Sequence, residues 1–338
     1  MIKIDRNVAY PLSLLLSIPR KTCEALSDHI GTSGDSVIKM LNKSCRSAKE
    51  LISTTKKITQ KKLYFIIDDT IISKIYSKYI EGACDNYSTT TGKTERSLCS
   101  VVAMLTDGEI AIPVDQSLWI SKEFIGGKKR TKSMIAKDLI EKIIELTPIH
   151  GVLIDGLYTT EYLMSWLIQK NIRFDGRFHS NRSVENKSKT AQIKELQSLK
   201  VSGKKPIRST IVKWKKMKLH VTSLFRRNVA GREIITYYAS NYKAPKKEHV
   251  YAYGIRWNIE KFFRTAKQKL GLNDCMVRNR DGQEKHIANV FFAYALLQIE
   301  KHRHKLKNVE TLISSIKSYN FTMLQQRFIP AIRNFCYA

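Results

Sequence analysis

Acidic residues are scarce in this 338-residue chain, which has 30 Asp and Glu against 59 Lys and Arg. The formal net charge of +29 accompanies 43% hydrophobic residues, so a strongly basic chain can still bury a sizeable core. An excess of this size predicts a polyanionic partner, and nucleic acid is the usual one. A basic protein that its charge merely keeps soluble is the plainer alternative. A ribosomal or histone-like protein would be shorter and poorer in long apolar segments.

Paired cysteines and long apolar runs are also missing. The six cysteines form no C-x-x-C pair and have no histidines at zinc spacing, which predicts reduced thiols in the cytoplasm and no structural zinc. The longest apolar segment, residues 290–299, is too short to span a bilayer. Residues 8–19 are apolar but no small-residue cleavage site follows them, so we expect a segment packed on the body of the protein. These features predict a soluble cytoplasmic protein without membrane contact.

Several catalytic motifs are absent or incomplete. There is no G-x-S-x-G elbow, and Tyr87 stands where a phosphate-binding loop ending at 91–94 would need a glycine. His179 and Arg182 match the H-x-x-R pattern of tyrosine recombinases, but the rest of that site is not evident. This four-residue match is weak evidence for recombinase chemistry.

The N-terminal region has the spacing of a helix-turn-helix. Residues 20–44 predict two short helices, with small Ser27 allowing a close crossing and Gly31 making the turn. Lys39 and Lys43 on the second helix would face phosphate. A plain helical hairpin without a role in DNA binding fits the same pattern.

Two buried strands are predicted to end in acids. The apolar run 63–67 leads into Asp68 and Asp69, and the run 151–154 leads into Asp155. Further strands are predicted over 97–105, 110–114 and 172–178, and helices over 133–146 and 160–170. This order predicts an α/β fold, a mixed sheet flanked by helices.

A basic segment interrupts that pattern. Residues 182–248 contain eighteen Lys and Arg against four Glu, and strands are predicted over 211–224 and 233–238. We therefore expect a β-rich basic insertion before the next helix.

That next helix carries an unusual face. At about 100° for each helical residue, Tyr253, Arg256, Glu260 and Lys267 lie within roughly 60° of one another. An apolar stripe occupies the other side: Ile255, Ile259, Phe262, Ala266 and Leu270.

One carboxylate among cations suits a metal ion held beside a phosphate, if two more acids come from elsewhere. Two strand-end aspartates and a helical glutamate would meet the needs of two-metal phosphoryl transfer. Hard oxygen ligands favour two Mg²⁺ ions, with Mn²⁺ as a substitute, over zinc.

The pattern Tyr-x2-Arg-x3-Glu-x6-Lys, filled by Tyr253, Arg256, Glu260 and Lys267, resembles the signature of bacterial insertion-sequence transposases of the DDE class. Asp68-Asp-Thr70 and Leu153-Ile-Asp155-Gly156 are similar to the first- and second-acid motifs of that family. The resemblance covers roughly residues 60–300. It implies an RNase H-like catalytic domain and metal-dependent cleavage and transfer of DNA strands.

The resemblance also implies roles for individual residues. Asp68, Asp155 and Glu260 would be the catalytic metal ligands. The expected DNA contacts are Tyr253, Arg256, Lys267 and Trp257, joined by Lys39 and Lys43. Asp69 is an alternative to Asp68, and the equivalence of Trp214 to a base-holding tryptophan of some relatives is open.

The expected organisation has four parts: a helical DNA-binding region over 1–58, a first part of the catalytic core over 59–181, the insertion over 182–248, and the rest of the core with C-terminal helices over 249–338. The expected partners are the terminal inverted repeats of the element and target DNA, bound by a homodimer associated with the bacterial nucleoid. An inactive DNA-binding remnant and a metal-dependent nuclease of the same fold are the rival hypotheses.

Overall fold

A mixed β-sheet forms the centre of the protein. The computed structural model describes residues 6–43, 47–88, 91–120 and 130–336, and the sheet has eleven strands within those ranges. Five of the strands are β1 Tyr64–Ser73, β3 Lys93–Thr106, β4 Ala111–Trp119, β5 Gly151–Ile154 and β6 Phe174–Arg177. They lie side by side in the order β4, β3, β1, β5, β6, with β1, β5 and β6 parallel to each other and β3 antiparallel to both of its neighbours. Strand β2, Cys84–Ser88, pairs with the first residues of β3. The predicted mixed sheet is confirmed.

Helices cover both faces of this sheet. Helix α5, Lys132–Leu146, packs on β3 and β4, and α8, Trp257–Lys269, packs on β1 and β4. Successive residues of a strand point to opposite faces, and Asp68 contacts the start of α8 while Asp69 contacts the start of α5. The two helices therefore lie on opposite faces. Burial from both sides explains why β1 begins as a continuous apolar run rather than an alternating one.

The basic segment extends the same sheet. Its strands are β7 Ser183–Asn186, β8 Lys189–Gln192, β9 Ile207–Trp214, β10 Met217–Arg227 and β11 Glu233–Ser240. β11 pairs with the edge of β6, Ala239 opposite Gly176, and β10, β9, β7 and β8 follow in that order. The predicted strand 233–238 is confirmed.

The prediction of one strand over 211–224 is wrong. That stretch is a hairpin, in which Trp214 lies opposite Met217 and Lys215 adopts a φ of 55°. A two-residue turn needs such a left-handed position, which Gly or Asn usually fills. Because Lys215 and Lys216 occupy the turn instead of Gly or Asn, the sequence pattern did not predict it.

Within the described residues, four helices precede the sheet: α1 Arg6–Ser13, α2 Cys23–Ile30, α3 Gly34–Lys43 and α4 Ala48–Ile58. The predicted pair over 20–44 is confirmed as α2 and α3, although Ser44 lies outside the described residues. Gly31 ends α2 with a φ of 73°, and the Ser33 hydroxyl accepts a hydrogen bond from the Ser36 amide at 3.3 Å at the start of α3. Most of the segment 8–19 packs on the body of the protein as expected, with residues 8–16 buried and Ser17 and Pro19 exposed.

The chain after the sheet is helical. The long helix α9, Arg280–Arg303, is buried on most sides by α1, α3, α10 (Val309–Ser315), α11 (Phe321–Cys336) and β4. Helix α6, Glu161–Gln169, connects β5 to β6 and confirms the helix predicted there. In the part of the chain that the structure describes, no helix is both long enough and apolar enough to cross a bilayer.

The expected single helix over 253–267 is two helices. Helix α7, Lys246–Ile255, ends just before Arg256, and α8 begins just after it. The Arg256 amide bonds to the Tyr253 carbonyl and the Ile259 amide to the Arg256 carbonyl, both at 3.1 Å and both spanning three residues instead of four. The tighter bonds interrupt the α-helical ladder at Arg256, although its φ of −53° and ψ of −29° keep the chain direction nearly continuous. The predicted apolar stripe from Ile255 to Leu270 is buried.

Candidate active site

The two aspartates expected at the site lie on neighbouring parallel strands. Asp155 follows β5 as predicted, but the prediction that Asp68 ends its strand is wrong, because β1 continues to Ser73 along β3. Ile67 of β1 lies opposite Ile154 of β5, and Asp68 and Asp155 come directly after them. The pairing of β1 with β5 stops at Ile67 and Ile154, so the register of the two parallel strands alone brings the next residues, Asp68 and Asp155, together.

Arg256 joins both aspartates to the glutamate. Its Nη1 donates to Asp68 Oδ2 at 2.6 Å, its Nη2 donates to Glu260 Oε1, and Nη2 lies 3.7 Å from Asp155 Oδ1. The side chain of Arg256 is only 9% exposed. The position between α7 and α8 directs the guanidinium at the sheet, with Glu260 one turn further along. The three acids predicted from the sequence thus converge on one cation.

Burial and mutual repulsion oppose the ionisation of these carboxyl groups, and the three of them share the single positive charge of Arg256. Burial raises the pKa of Asp68 to about 7, with Asp155 and Asp69 acting in the same direction and Arg256 opposing them. Burial opposes the charge of Arg256, but the surrounding acids together with Tyr253 raise the pKa of that group above its ordinary value. A further cation placed among these carboxylates would therefore be bound favourably.

Tyr253 is the fourth member of the cluster. Its hydroxyl donates to Asp155 Oδ1 at 3.2 Å, and its ring packs on Tyr238 of β11 with centroids 4.5 Å apart. Burial raises the pKa of the Tyr253 phenol, so it stays a neutral donor. In this structure Tyr253 and Arg256 both hold the acids, whereas we expected them to project toward a phosphate.

Asp69 belongs to a different set of contacts. Its carboxylate pairs with Lys132 Nζ at 2.6 Å and accepts a hydrogen bond from the Tyr158 hydroxyl at 3.0 Å, on the α5 side of the sheet. The geometry therefore favours Asp68 over Asp69 as the partner of Asp155 and Glu260.

The remaining predicted residues lie further from the acids. Lys267 is half-buried two turns along α8 from Glu260, and burial lowers its pKa while Glu95 opposes that effect. Trp257 is 57% exposed at the first turn of α8. Lys39 and Lys43 are exposed on α3, which packs on α1, α2 and α9, so the structure does not bring them into the acid cluster.

The loop after Asp155 is supported by residues whose part in the site the sequence did not predict. Arg182 donates to Thr159 Oγ1 at 3.0 Å, and its guanidinium lies 4.4 and 4.6 Å from the ring centroids of Phe178 and Trp214, which contact each other edge to face. A Cβ on Gly156 would lie 2.9 Å from His179 Nε2. The H-x-x-R pair, His179 and Arg182, thus packs against the loop that begins at Asp155. Trp214 contacts the guanidinium of Arg182.

Tyr238 was also missed. The paired aromatics at 237 and 238 were visible in a predicted strand, but the sequence could not tell which ring would meet Tyr253.

The oxygen atoms of these acids are suitable ligands for a hard divalent cation, but the acids are too far apart in this structure to hold one. Carboxylate oxygens are the ligands that Mg²⁺ and Mn²⁺ prefer. Among the described residues, however, no three Asp, Glu, His or Cys side chains are grouped closely enough to hold a metal ion. Arg256 lies between the carboxylates, so a metal would have to displace bonds that this guanidinium makes.

The fold and the acid cluster together define a class. A mixed sheet in the order β4, β3, β1, β5, β6 with flanking helices is consistent with an RNase H-like transposase fold. The family model of the transposase DDE domain matches residues 59–296, and the chain belongs to that family. No curated protein matches the sequence. Membership implies a DNA-binding transposase, an enzyme of the nuclease or transferase kind, and enzymes of this family generally use divalent metals.

Proposed function

We propose that this chain is the transposase of a bacterial insertion sequence, of the type with the Tyr-Arg-Glu-Lys signature. It would bind the terminal inverted repeats of its element, cleave a strand at each end, and join the freed 3′-hydroxyl to target DNA. The observation that carries this proposal is the convergence of Asp68, Asp155 and Glu260 on Arg256. Both steps are displacements at phosphorus, so one site can serve both.

Asp68, Asp155 and Glu260 would hold two Mg²⁺ ions, or Mn²⁺ in their place. When bound, such ions activate the attacking oxygen and stabilise the leaving oxygen of an in-line displacement. Arg256 keeps the carboxylates together and partly neutralised before that event. Once released from them, its planar guanidinium can grip a phosphate through two hydrogen bonds.

The surrounding residues supply contacts to DNA. Tyr253 has a hydroxyl donor next to Asp155, Lys267 has a charge two turns along α8, and exposed Trp257 offers a ring for packing on a base or sugar. Lys39 and Lys43 on the helix-turn-helix would bind phosphates at the terminal repeats. Two ends must be processed together, so we expect a homodimer in the DNA complex, acting at the bacterial nucleoid.

Incubation of the purified protein with labelled terminal-repeat DNA, target DNA and Mg²⁺ tests this proposal. The repeats are identified from the DNA flanking the gene, as short inverted repeats bounded by a direct duplication. Joined donor–target products support transposition. Mg²⁺-dependent nicks without joining identify a nuclease, and binding without nicks identifies an inactive remnant.

A further inference from the structure

A cavity with a basic lining adjoins α8, the helix that carries Glu260. The tip of the β3–β4 hairpin, the first turns of α8, the last turns of α9 and the start of α10 enclose a cavity of about 530 Å³. Asn258 and Lys261 of α8 line it, and they lie about 200° before and 100° after Glu260 around the helix. The cavity therefore opens on a different side of α8 from the acids.

Its lining has more positive charge than its own acids neutralise. Lys261, Lys301, Lys305, Lys307 and His302 contribute basic groups, and none of the four lysines lies within ion-pair distance of a carboxylate among the described residues. The two lining carboxylates have partners elsewhere. Glu109 pairs with Lys61 at 2.9 Å, and Glu310 lies 3.7 Å from Arg264 and accepts a hydrogen bond from Thr265 at 3.2 Å.

One atom of a buried side-chain amide that lines the cavity has no hydrogen-bond partner among the described residues. Gln298 is 4% exposed, and its Nε2 donates to the Tyr294 hydroxyl at 3.0 Å. Its other amide atom, Oε1, has no hydrogen-bond partner among the described residues, which is costly for a buried polar group. The assignment of the two amide atoms can be exchanged by a flip, so the free end can donate or accept.

Lys301 is a second group in the cavity that an anion would stabilise. Its Nζ donates to the Glu109 carbonyl at 2.5 Å. Burial lowers the pKa of Lys301, and Lys261 acts in the same direction, while Asp107, Glu109 and Glu310 oppose them. An anion in the cavity would stabilise the charged form of Lys301.

We propose that this cavity binds phosphate groups of a DNA backbone, as a contact separate from the acid cluster. Tyr64, which pairs with Thr106 just before the hairpin tip, is four residues from Asp68, or about 13 Å along β1. That distance corresponds to about four nucleotides of one strand. Duplex DNA that extends from the acids toward the start of β1, or a second duplex beside it, would come to the hairpin tip that lines the cavity. The basic cavity itself does not depend on the proposed function, but the choice of DNA phosphate as its anion rests on that function.

Salt-dependent binding of a fluorescent DNA duplex tests this site without any need for cleavage. In K305Q/K307Q both exposed lysines lose their charge. The plot of log affinity against log salt concentration should become shallower by about 2, since each lost phosphate contact removes about 0.9 from the slope. The matched control is K62Q/K170Q, which removes the same charge from two exposed lysines outside both the cavity and the helical region 1–58, and its slope should stay near that of the unchanged protein. Equal slopes for the two double variants would overturn the proposal.

A two-duplex experiment then identifies the source of the phosphates. Labelled terminal-repeat duplex is bound first, and a second duplex without repeats is titrated in. Selective weakening of either duplex by K305Q/K307Q supports the site and tells whether it holds element or target DNA. If both duplexes bind as they do to K62Q/K170Q, the cavity is not a DNA contact. Because no step requires catalysis, inactive protein that still binds DNA gives a clear result.

Discussion

Replacement of Arg256 by Met should destabilise the protein and make it more dependent on divalent metal. Removal of one partner from a buried ion pair costs about 3–5 kcal/mol. The side chains of Asp68, Asp155 and Glu260 are 17%, 31% and 32% exposed, so solvent screens part of the uncompensated charge and we expect a loss of about 2–3 kcal/mol. Methionine keeps the apolar stem, so the loss reports on charge more than on packing.

Thermal unfolding with and without Mg²⁺ measures this effect. The unfolding entropy of a 338-residue chain is about 0.7 kcal/mol/K, so the melting temperature should fall by about 3–4 °C in EDTA. Added Mg²⁺ should raise the melting temperature of R256M more than that of the unchanged protein, because a bound ion replaces the missing cation.

The matched control is R280M, which breaks an exposed Arg–Glu pair of the same spacing on α9 and should cost less than about 1 kcal/mol. If R256M melts with the unchanged protein in EDTA, or if Mg²⁺ raises both melting temperatures equally, the reasoning about Arg256 is refuted.

Two further predictions concern support of the fold and the site. Burial lowers the pKa of His286 to about 3, so protonation favours unfolding, and the stability present above pH 6.5 falls as the pH drops toward 3. The free energy of unfolding should fall by about 2 kcal/mol between pH 7 and pH 5 from this group, and denaturant titrations of H286Q should lack that part of the fall. G156A should reduce DNA cleavage at least tenfold with folding largely kept, since its Cβ would push against His179 and move the loop after Asp155. Cleavage at the normal rate by G156A, or an unchanged pH dependence in H286Q, would show that the respective argument is wrong.

The sequence predicted the parts of the fold that depend on local patterns. Continuous apolar runs before Asp68 and Asp155 identified adjacent buried strands, and small residues with helical spacing identified α2 and α3. Prediction failed where a residue takes an untypical position. Lys215 occupies a left-handed turn, and Arg256 interrupts a helix whose side-chain pattern continues across it.

Tertiary contacts decided what the sequence left open at the site. Asp68 and Asp69 are adjacent in the chain, and only the positions of α8 and α5 on opposite faces of the sheet distinguish their surroundings. The sequence suggested a phosphate ligand for Arg256, but it could not tell that the acids themselves would occupy this guanidinium. Tyr238 and Arg182 support the site from strands and loops far along the chain from the catalytic motifs, where no local pattern predicts a contact.

We expect DNA cleavage to depend on the three acids that contact Arg256, namely Asp68, Asp155 and Glu260. The most direct measurement is Mg²⁺-dependent cleavage of terminal-repeat DNA by E260Q, with E284Q as the matched control. Glu284 lies on α9, has an exposure similar to that of Glu260, and pairs with Arg280 four residues before it on the same helix. We expect E260Q to bind this DNA at least as tightly as the unchanged protein but to produce no cleavage, while E284Q cleaves normally. Normal cleavage by E260Q would contradict the account.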